Sequence, residues 1–148
     1  MIVLNSTQQF NILPCSLSEY EEIKTYIHQF SLDNRCLSPE QFLVAKNKQQ
    51  IVGFGRIRKH TQCYELCSLG VIEPERNNGI GKELTNELIK ISGQPLYLVC
   101  IIPNYFSALG FEIVTEYPPE IAEKLSYCAD CLCVPESYVV LKYQNGVK

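Results

Sequence analysis

No stretch of the sequence approaches the ~18 consecutive apolar residues of a membrane-spanning helix, and Met1 to Phe10 has no basic patch followed by an apolar run. Neither a spanning helix nor a secretory leader is expected, and the reading is a cytoplasmic protein. Positive charge is not in excess either: 13 Lys and Arg stand against 16 Asp and Glu, a formal net charge of −3. Such a balance provides no field to gather nucleic acid or anionic lipid, so no nucleic-acid or membrane partner is expected. Repeats, linkers and low-complexity tracts are missing too. With 148 residues the chain can bury one core without staples, which predicts a single domain, 1–148.

Cysteine is not scarce, at eight residues. Cys15, Cys36, Cys63, Cys67 and Cys100 are scattered through apolar or strand-like segments, where a free thiol packs as a small hydrophobe. Without a secretory signal, disulfides are not the first reading. Cys128, Cys131 and Cys133 crowd three thiols together, a density that suits zinc or redox chemistry. A fourth ligand, a nearby histidine and a second cysteine pair are lacking, so no metal is expected and the thiols read as free in a connecting segment.

Periodicity supplies the elements. Phe10 to Pro14 is a short strand, and Ser16-Leu17-Ser18-Glu19 fits a capping box for a helix toward Phe30 with Leu17, Tyr20, Ile23, Ile27 and Phe30 as its buried stripe. Ser31 to Glu40 reads as a loop. Phe42 to Ala45, Ile51 to Arg58 and Cys63 to Ile72 then form an antiparallel meander. Ile80, Leu84, Leu88 and Ile91 mark one face of a helix, and the apolar run Leu96 to Ile102 suits a strand buried on both faces in a parallel pairing. A short helix from Asn104 to Leu109 ends at Gly110, and Phe111 to Val114 is again strand. Pro118 to Tyr127 looks helical, Cys128 to Pro135 irregular, and Ser137 to Tyr143 closes as a strand whose exposed edge could pair in a homodimer.

Arg76-Asn77-Asn78-Gly79-Ile80-Gly81-Lys82 lies between a strand and an amphipathic helix, where unpaired N–H groups meet the positive end of the helix dipole. This is a ready anion site, and its glycines let a phosphate come close. Two familiar phosphate loops fail: Gly81-Lys82 is followed by Glu83 rather than Ser or Thr, and Leu84 occupies the place of a third fingerprint glycine.

Arg-x-x-Gly-x-Gly after a strand, followed downstream by Tyr105-Phe106-Ser107-Ala108-Leu109-Gly110-Phe111, closely resembles the GNAT acyltransferase family. The likeness is continuous from Phe42 to Val114, and Phe10 to Phe30 fits the family's first strand and helix. It implies an α/β (α+β) fold with a central, mixed, mostly antiparallel sheet of six to seven strands flanked by helices. The implied activity moves an acetyl group from acetyl-CoA to a primary amine, with acetyl-CoA as co-substrate. By the same resemblance the backbone from Asn77 through Asn78, Gly79, Ile80 and Gly81 to Lys82, with Arg76 at its entrance, holds the cofactor's pyrophosphate. Leu69 and Val71 pair with its pantetheine arm beside a bulge for which Gly70 is a suitable place.

Family members often place a carboxylate at the start of the fourth strand, which makes Glu65 the candidate base. The tyrosine that often protonates the departing thiolate is replaced by Phe106, which the resemblance sets against the pantetheine; Tyr105 reads as pocket lining or core, and His28 and His60 as surface histidines. Pro118-Pro119-Glu120-Ile121, a short helix and Cys-x-x-Cys are similar to the tail of bacterial N-acetylglutamate-synthase-like members, which favours an amino acid or other small molecule as acceptor. Those relatives carry a longer cysteine spacing. Two further readings stay open: a non-catalytic acyl-CoA sensor or interaction module, and an acetyltransferase of protein lysines or N-termini.

Overall fold

The computed structural model describes residues 10–72, 79–131 and 138–144. Its elements are β1 Asn11–Pro14, α1 Leu17–Gln29, β2 Phe42–Asn47, β3 Gln50–Lys59, β4 Tyr64–Val71, α2 Ile80–Ile91, β5 Leu96–Cys100, α3 Pro103–Ser107, β6 Phe111–Ile113, α4 Pro119–Cys131 and β7 Val139–Tyr143, with a 3-10 turn at Pro39–Gln41. Seven strands make one sheet in the order β1-β2-β3-β4-β5-β7-β6. The pairing of β4 with β5 is parallel, through Tyr64 with Leu96 and Glu65 with Tyr97, whereas β1 with β2, β2 with β3, β5 with β7 and β6 with β7 are antiparallel. The sheet is thus mixed and mostly antiparallel, as the sequence implies.

The chain divides into two compact units, Met1–Arg56 with Ser68–Lys90, and Ile57–Cys67 with Ile91–Lys148. In the first, Ser16 and Glu19 form the expected reciprocal cap: the Ser16 N–H donates to Glu19 Oε1 at 2.9 Å and the Glu19 N–H donates to Ser16 Oγ at 3.2 Å. Ile23 and Ile27 of α1 then bury against Phe42 and Val44 of β2 and Ile51 and Phe54 of β3. Strict alternation would put Ile51 and Phe54 on opposite faces. The register passes from Ala45 opposite Gly53 to Lys46 opposite Ile51, so Val52 is the extra residue of a bulge that returns both side chains to the core.

α2 lies against β3 on Gly53 and Gly55. A Cβ on Gly53 would come within 2.8 Å of Ile80 and 2.9 Å of Leu84, and one on Gly55 within 2.8 Å of Leu88 and 2.9 Å of Leu69. Two apolar positions expected in buried stripes are not buried: Leu17 is 75% exposed and Ile91 59%. Each sits at an outer end of its helix, beyond the span that packs on the sheet.

The second unit has its own core in Cys63, Tyr97, Ile121 and Val140. Two expectations are corrected here. The segment from Cys128 does not begin an irregular stretch, because α4 continues to Cys131; Cys128 is buried, while the side chain of Cys131 and all of Cys133 lie outside the described residues. β7 is not an edge strand open to a partner, since it is flanked by β5 and β6; the sheet's edges are β1 and β6. No helix among the described residues is long and apolar enough to cross a membrane.

Candidate functional site

Of the expected cofactor loop, Arg76, Asn77 and Asn78 lie outside the described residues, and Gly79 onward is seen. Gly79 takes φ +80, a left-handed conformation natural to glycine, and a Cβ there would meet nothing within 4 Å. The Glu83 N–H donates to the Gly79 carbonyl at 3.0 Å, which makes it the first donor bonded within α2. The N–H groups of Ile80, Gly81 and Lys82 therefore precede the intrahelical ladder, at the positive end of the helix dipole. Ile80 itself is buried and fixes this turn on β3, while Lys82 is exposed.

The strand expected to meet the acyl arm belongs to the same unit. Leu69 Cδ1 lies beside Gly55, and a Cβ on Gly53 would stand 3.3 Å from the Gly70 carbonyl as well as against Ile80. α2 and the end of β4 thus meet on β3, the Gly70 carbonyl and Ile80 at Gly53 and Leu69 and Leu88 at Gly55. Gly70 itself is not among the residues with positive φ. Its glycine is required by space, since a Cβ would sit 2.7 Å from Phe54 and 3.2 Å from Phe30. The left-handed residue of β4 is Ser68, at φ +54.

Ser68 is buried in a polar network that sequence inspection missed. Its hydroxyl donates to the Asp33 carbonyl at 2.7 Å and accepts from Arg56 Nε at 2.9 Å. Arg56 is fully buried. Its Nη1 donates to Gln41 Oε1 at 2.9 Å and to the Cys36 carbonyl at 3.5 Å, and its Nη2 donates to the Asp33 carbonyl at 3.2 Å, with Asp33 Oδ1 at 3.8 Å as counter-ion. Arg35 adds a bidentate pair to the Asp33 carboxylate, at 3.1 and 3.0 Å. One guanidinium therefore joins β3, β4 and the 33–41 segment.

Glu65, the expected base, is also fully buried, in the second unit. His60 Nε2 lies 2.8 Å and Arg58 Nη1 4.0 Å from its Oε1, and Lys124 Nζ lies 2.7 Å from its Oε2. Burial alone would push this carboxyl up, but the hydrogen bond with His60 and the charges of Lys124 and Arg58 outweigh it and hold the pKa at about 2. Such a carboxylate is a weak base, enclosed by groups that already use its oxygens. The environment corrects the surface reading of His60, whose side chain is only 12% exposed.

Phe106 is buried and packs edge-on against Tyr105 at 5.0 Å and Phe111 at 6.0 Å between ring centroids. Tyr105 is exposed at 40%, and burial of its hydroxyl region pushes its pKa up, away from easy proton donation. Cys63 is pushed up to about 11, first by burial and then by Glu120 and Glu65, so its thiol stays protonated near neutrality. Arg56 could have been found from sequence, as a charged residue at a core-facing position within the apolar run of β3. Lys124 could not: nothing local to α4 points to a carboxylate on β4.

Residues 7–111 match a family model described as the acetyltransferase (GNAT) family. No curated relative matches the chain. Among solved structures, N-acetylglutamate synthase from Neisseria gonorrhoeae, complexed with coenzyme A and N-acetyl-glutamate, is 14% identical over 90% of this chain, with a TM-score of 0.69. This chain covers 34% of that one, about a third of its length. Rv2747 from Mycobacterium tuberculosis, in complex with CoA and NLQ, is 15% identical over 90% of this chain and 98% of its own, at a TM-score of 0.72. Arabidopsis thaliana Naa50, in complex with the bisubstrate analogue CoA-Ac-MVNAL, is 17% identical over 92% and 99%, at 0.62. At these identities the structures speak for the fold.

Proposed function

Because the chain belongs to the acetyltransferase (GNAT) family, we propose that it transfers the acetyl group of acetyl-CoA to the primary amine of an amino acid or other small molecule in the cytoplasm. The observation that carries this reading is the meeting of two elements in one unit: the first turn of α2, at Ile80, and the end of β4, at the Gly70 carbonyl, both lie against Gly53 of β3. In the proposal the N–H groups of Ile80, Gly81 and Lys82 take the cofactor's diphosphate, joined by Arg76, Asn77 and Asn78. The acyl arm lies along Leu69, Gly70 and Val71 like an added strand. Phe106 has no hydroxyl and donates no proton.

The reaction is direct. A deprotonated amine attacks the thioester carbonyl, the C–S bond breaks, and the amide leaves with free CoA. The amine, with a reference pKa of about 10, must first lose a proton. With Glu65 held ionised by the His60 hydrogen bond and the charges of Lys124 and Arg58, and Phe106 lacking a hydroxyl, water carries that proton away and protonates the thiolate. The small-molecule acceptor is supported by the resemblance of the Pro118 to Cys131 segment, and by the N-acetyl-glutamate bound in the Neisseria gonorrhoeae enzyme.

Isothermal titration with acetyl-CoA and a free-thiol assay over a panel of amino acids, polyamines and N-terminal peptides test the reading. The expected result is saturable binding, with thiol release on amino-acid α-amines. An absence of acetyl-CoA binding removes it. A second reading, an acyl-CoA sensor that does not turn over, is favoured by the same two features, a locked Glu65 and Phe106 in the place of a tyrosine. Tight binding without thiol release on any amine selects it.

A further inference from the structure

Ser68 has an unfavourable backbone for a residue with a Cβ. At φ +54 the side chain crowds the following carbonyl, which is why the left-handed region is largely left to glycine and, to a lesser extent, asparagine and aspartate. It is also buried in the middle of a strand, where no turn calls for such a conformation. What accompanies the irregularity is the network around it: both hydrogen-bonding roles of the Ser68 hydroxyl are used, one by Arg56 Nε and one by the Asp33 carbonyl. The same Asp33 carbonyl accepts from Arg56 Nη2, so serine, guanidinium and loop carbonyl form a closed triangle. Gln41, whose Oε1 also accepts from the Ser38 N–H at 3.3 Å, holds the far side of the guanidinium.

A buried arginine costs desolvation energy that a packed apolar side chain would avoid, so its use here calls for an account beyond stability. Arg56 aligns its donors at once with four acceptors, Ser68 on β4 and Asp33, Cys36 and Gln41 in the 33–41 segment, as a planar, five-donor group can and an ammonium cannot. One residue beyond Ser68 begins the stretch, Leu69 to Val71, that the proposed function gives to the acyl arm.

We infer that Arg56 is a positioning residue: through Ser68 it holds β4 in its left-handed kink, so that the Leu69–Val71 backbone is presented to the acyl thioester, and through Asp33, Cys36 and Gln41 it makes that presentation depend on the 33–41 segment. The role rests on the proposed acetyl-transfer reading for its functional half and on the hydrogen-bond network for its structural half. The two halves can be tested apart.

The structural half is read by NMR, in the Cα chemical shift of Ser68. Arg56→Lys keeps the charge but cannot reach three acceptors in one plane, and it is expected to move the Ser68 signal from the left-handed toward the extended range. An unmoved signal in a folded Arg56→Lys protein overturns the inference, whatever the protein catalyses. The functional half is read by comparing Ser68→Ala with Ser68→Gly, which both delete the hydroxyl. Alanine keeps the Cβ that disfavours the left-handed region and lacks the hydroxyl that holds serine there, and its kcat is expected to fall about tenfold with a smaller change in the KM for acetyl-CoA. Glycine tolerates the kink and is expected to stay within about threefold of the parent.

A packing role alone predicts the reverse order, because glycine removes more atoms and adds chain entropy. Glycine falling to or below alanine in kcat therefore overturns the positioning role. Failure of the parent protein to bind acetyl-CoA would instead strike the proposed function, and would leave the Ser68 shift to decide the network's role.

Discussion

Glu65 carries its charge into the interior, where His60, Lys124 and Arg58 meet it, and stability should follow the state of that one carboxyl. Its pKa falls from an ordinary 4.5 to about 2 in the folded chain, so the unfolded chain binds the proton more readily. The stabilisation is therefore present in full above pH 4.5 and is lost as pH falls from there toward 2. By linkage it amounts to roughly 3 kcal/mol at neutral pH. Urea midpoints between pH 6 and pH 3 should fall in the parent and fall less in Glu65→Gln. That variant leaves Lys124 buried beside a neutral amide, and it should cost about 3 kcal/mol or more at pH 7. A Glu65→Gln protein as stable as the parent at neutral pH would mean that the cations do not depend on this carboxylate.

At the scale of elements, much of the local structure was legible because its cause is local. Ser16 and Glu19 stand three residues apart and cap each other; Ile80, Leu84 and Leu88 repeat at helical spacing and are buried; Gly79 precedes a helix and takes the left-handed turn that only glycine adopts freely. The misplaced features depend on contacts between distant segments. The left-handed residue of β4 is a serine held by Arg56 and the Asp33 carbonyl, which spacing cannot reveal. β7 looked like an edge because order along the chain does not say that β6 will pair outside it. The glycines of β3 yield a prediction of the same kind. Gly53→Ala would drive a methyl to 2.8 Å from Ile80 and 2.9 Å from Leu84, forcing the first turn of α2 off the strand. Overpacking of this kind costs about 1–3 kcal/mol. The same displacement should weaken acetyl-CoA binding on the order of tenfold, since a 1 Å error in a binding group is costly. Titration calorimetry on the folded variant checks it; an unchanged affinity would separate the turn from cofactor binding.

For the molecule as a whole, fold and family could be read from two short motifs in the right order, whereas the polar interior could not. The sequence alone groups neither Arg56 with Asp33 and Ser68 nor Glu65 with His60 and Lys124; each set forms within its own unit when segments far apart in the chain become neighbours. A ligand that binds only the folded chain must shift its unfolding equilibrium, and this offers a test that does not presuppose an acceptor. At about 100 times its dissociation constant, acetyl-CoA should add about 2.7 kcal/mol, which for a chain of this size is a rise in Tm of roughly 5–10 °C. The diphosphate is the part assigned to the first turn of α2, so ADP should give a smaller shift of the same sign, and both shifts should shrink in Gly53→Ala. Free coenzyme A should nearly match acetyl-CoA, because the acetyl group adds little surface to a ligand gripped along its length. A Tm that responds to none of these nucleotides would mean that the open turn at Gly79 to Lys82 holds no diphosphate, and the proposed reaction would lose its cofactor.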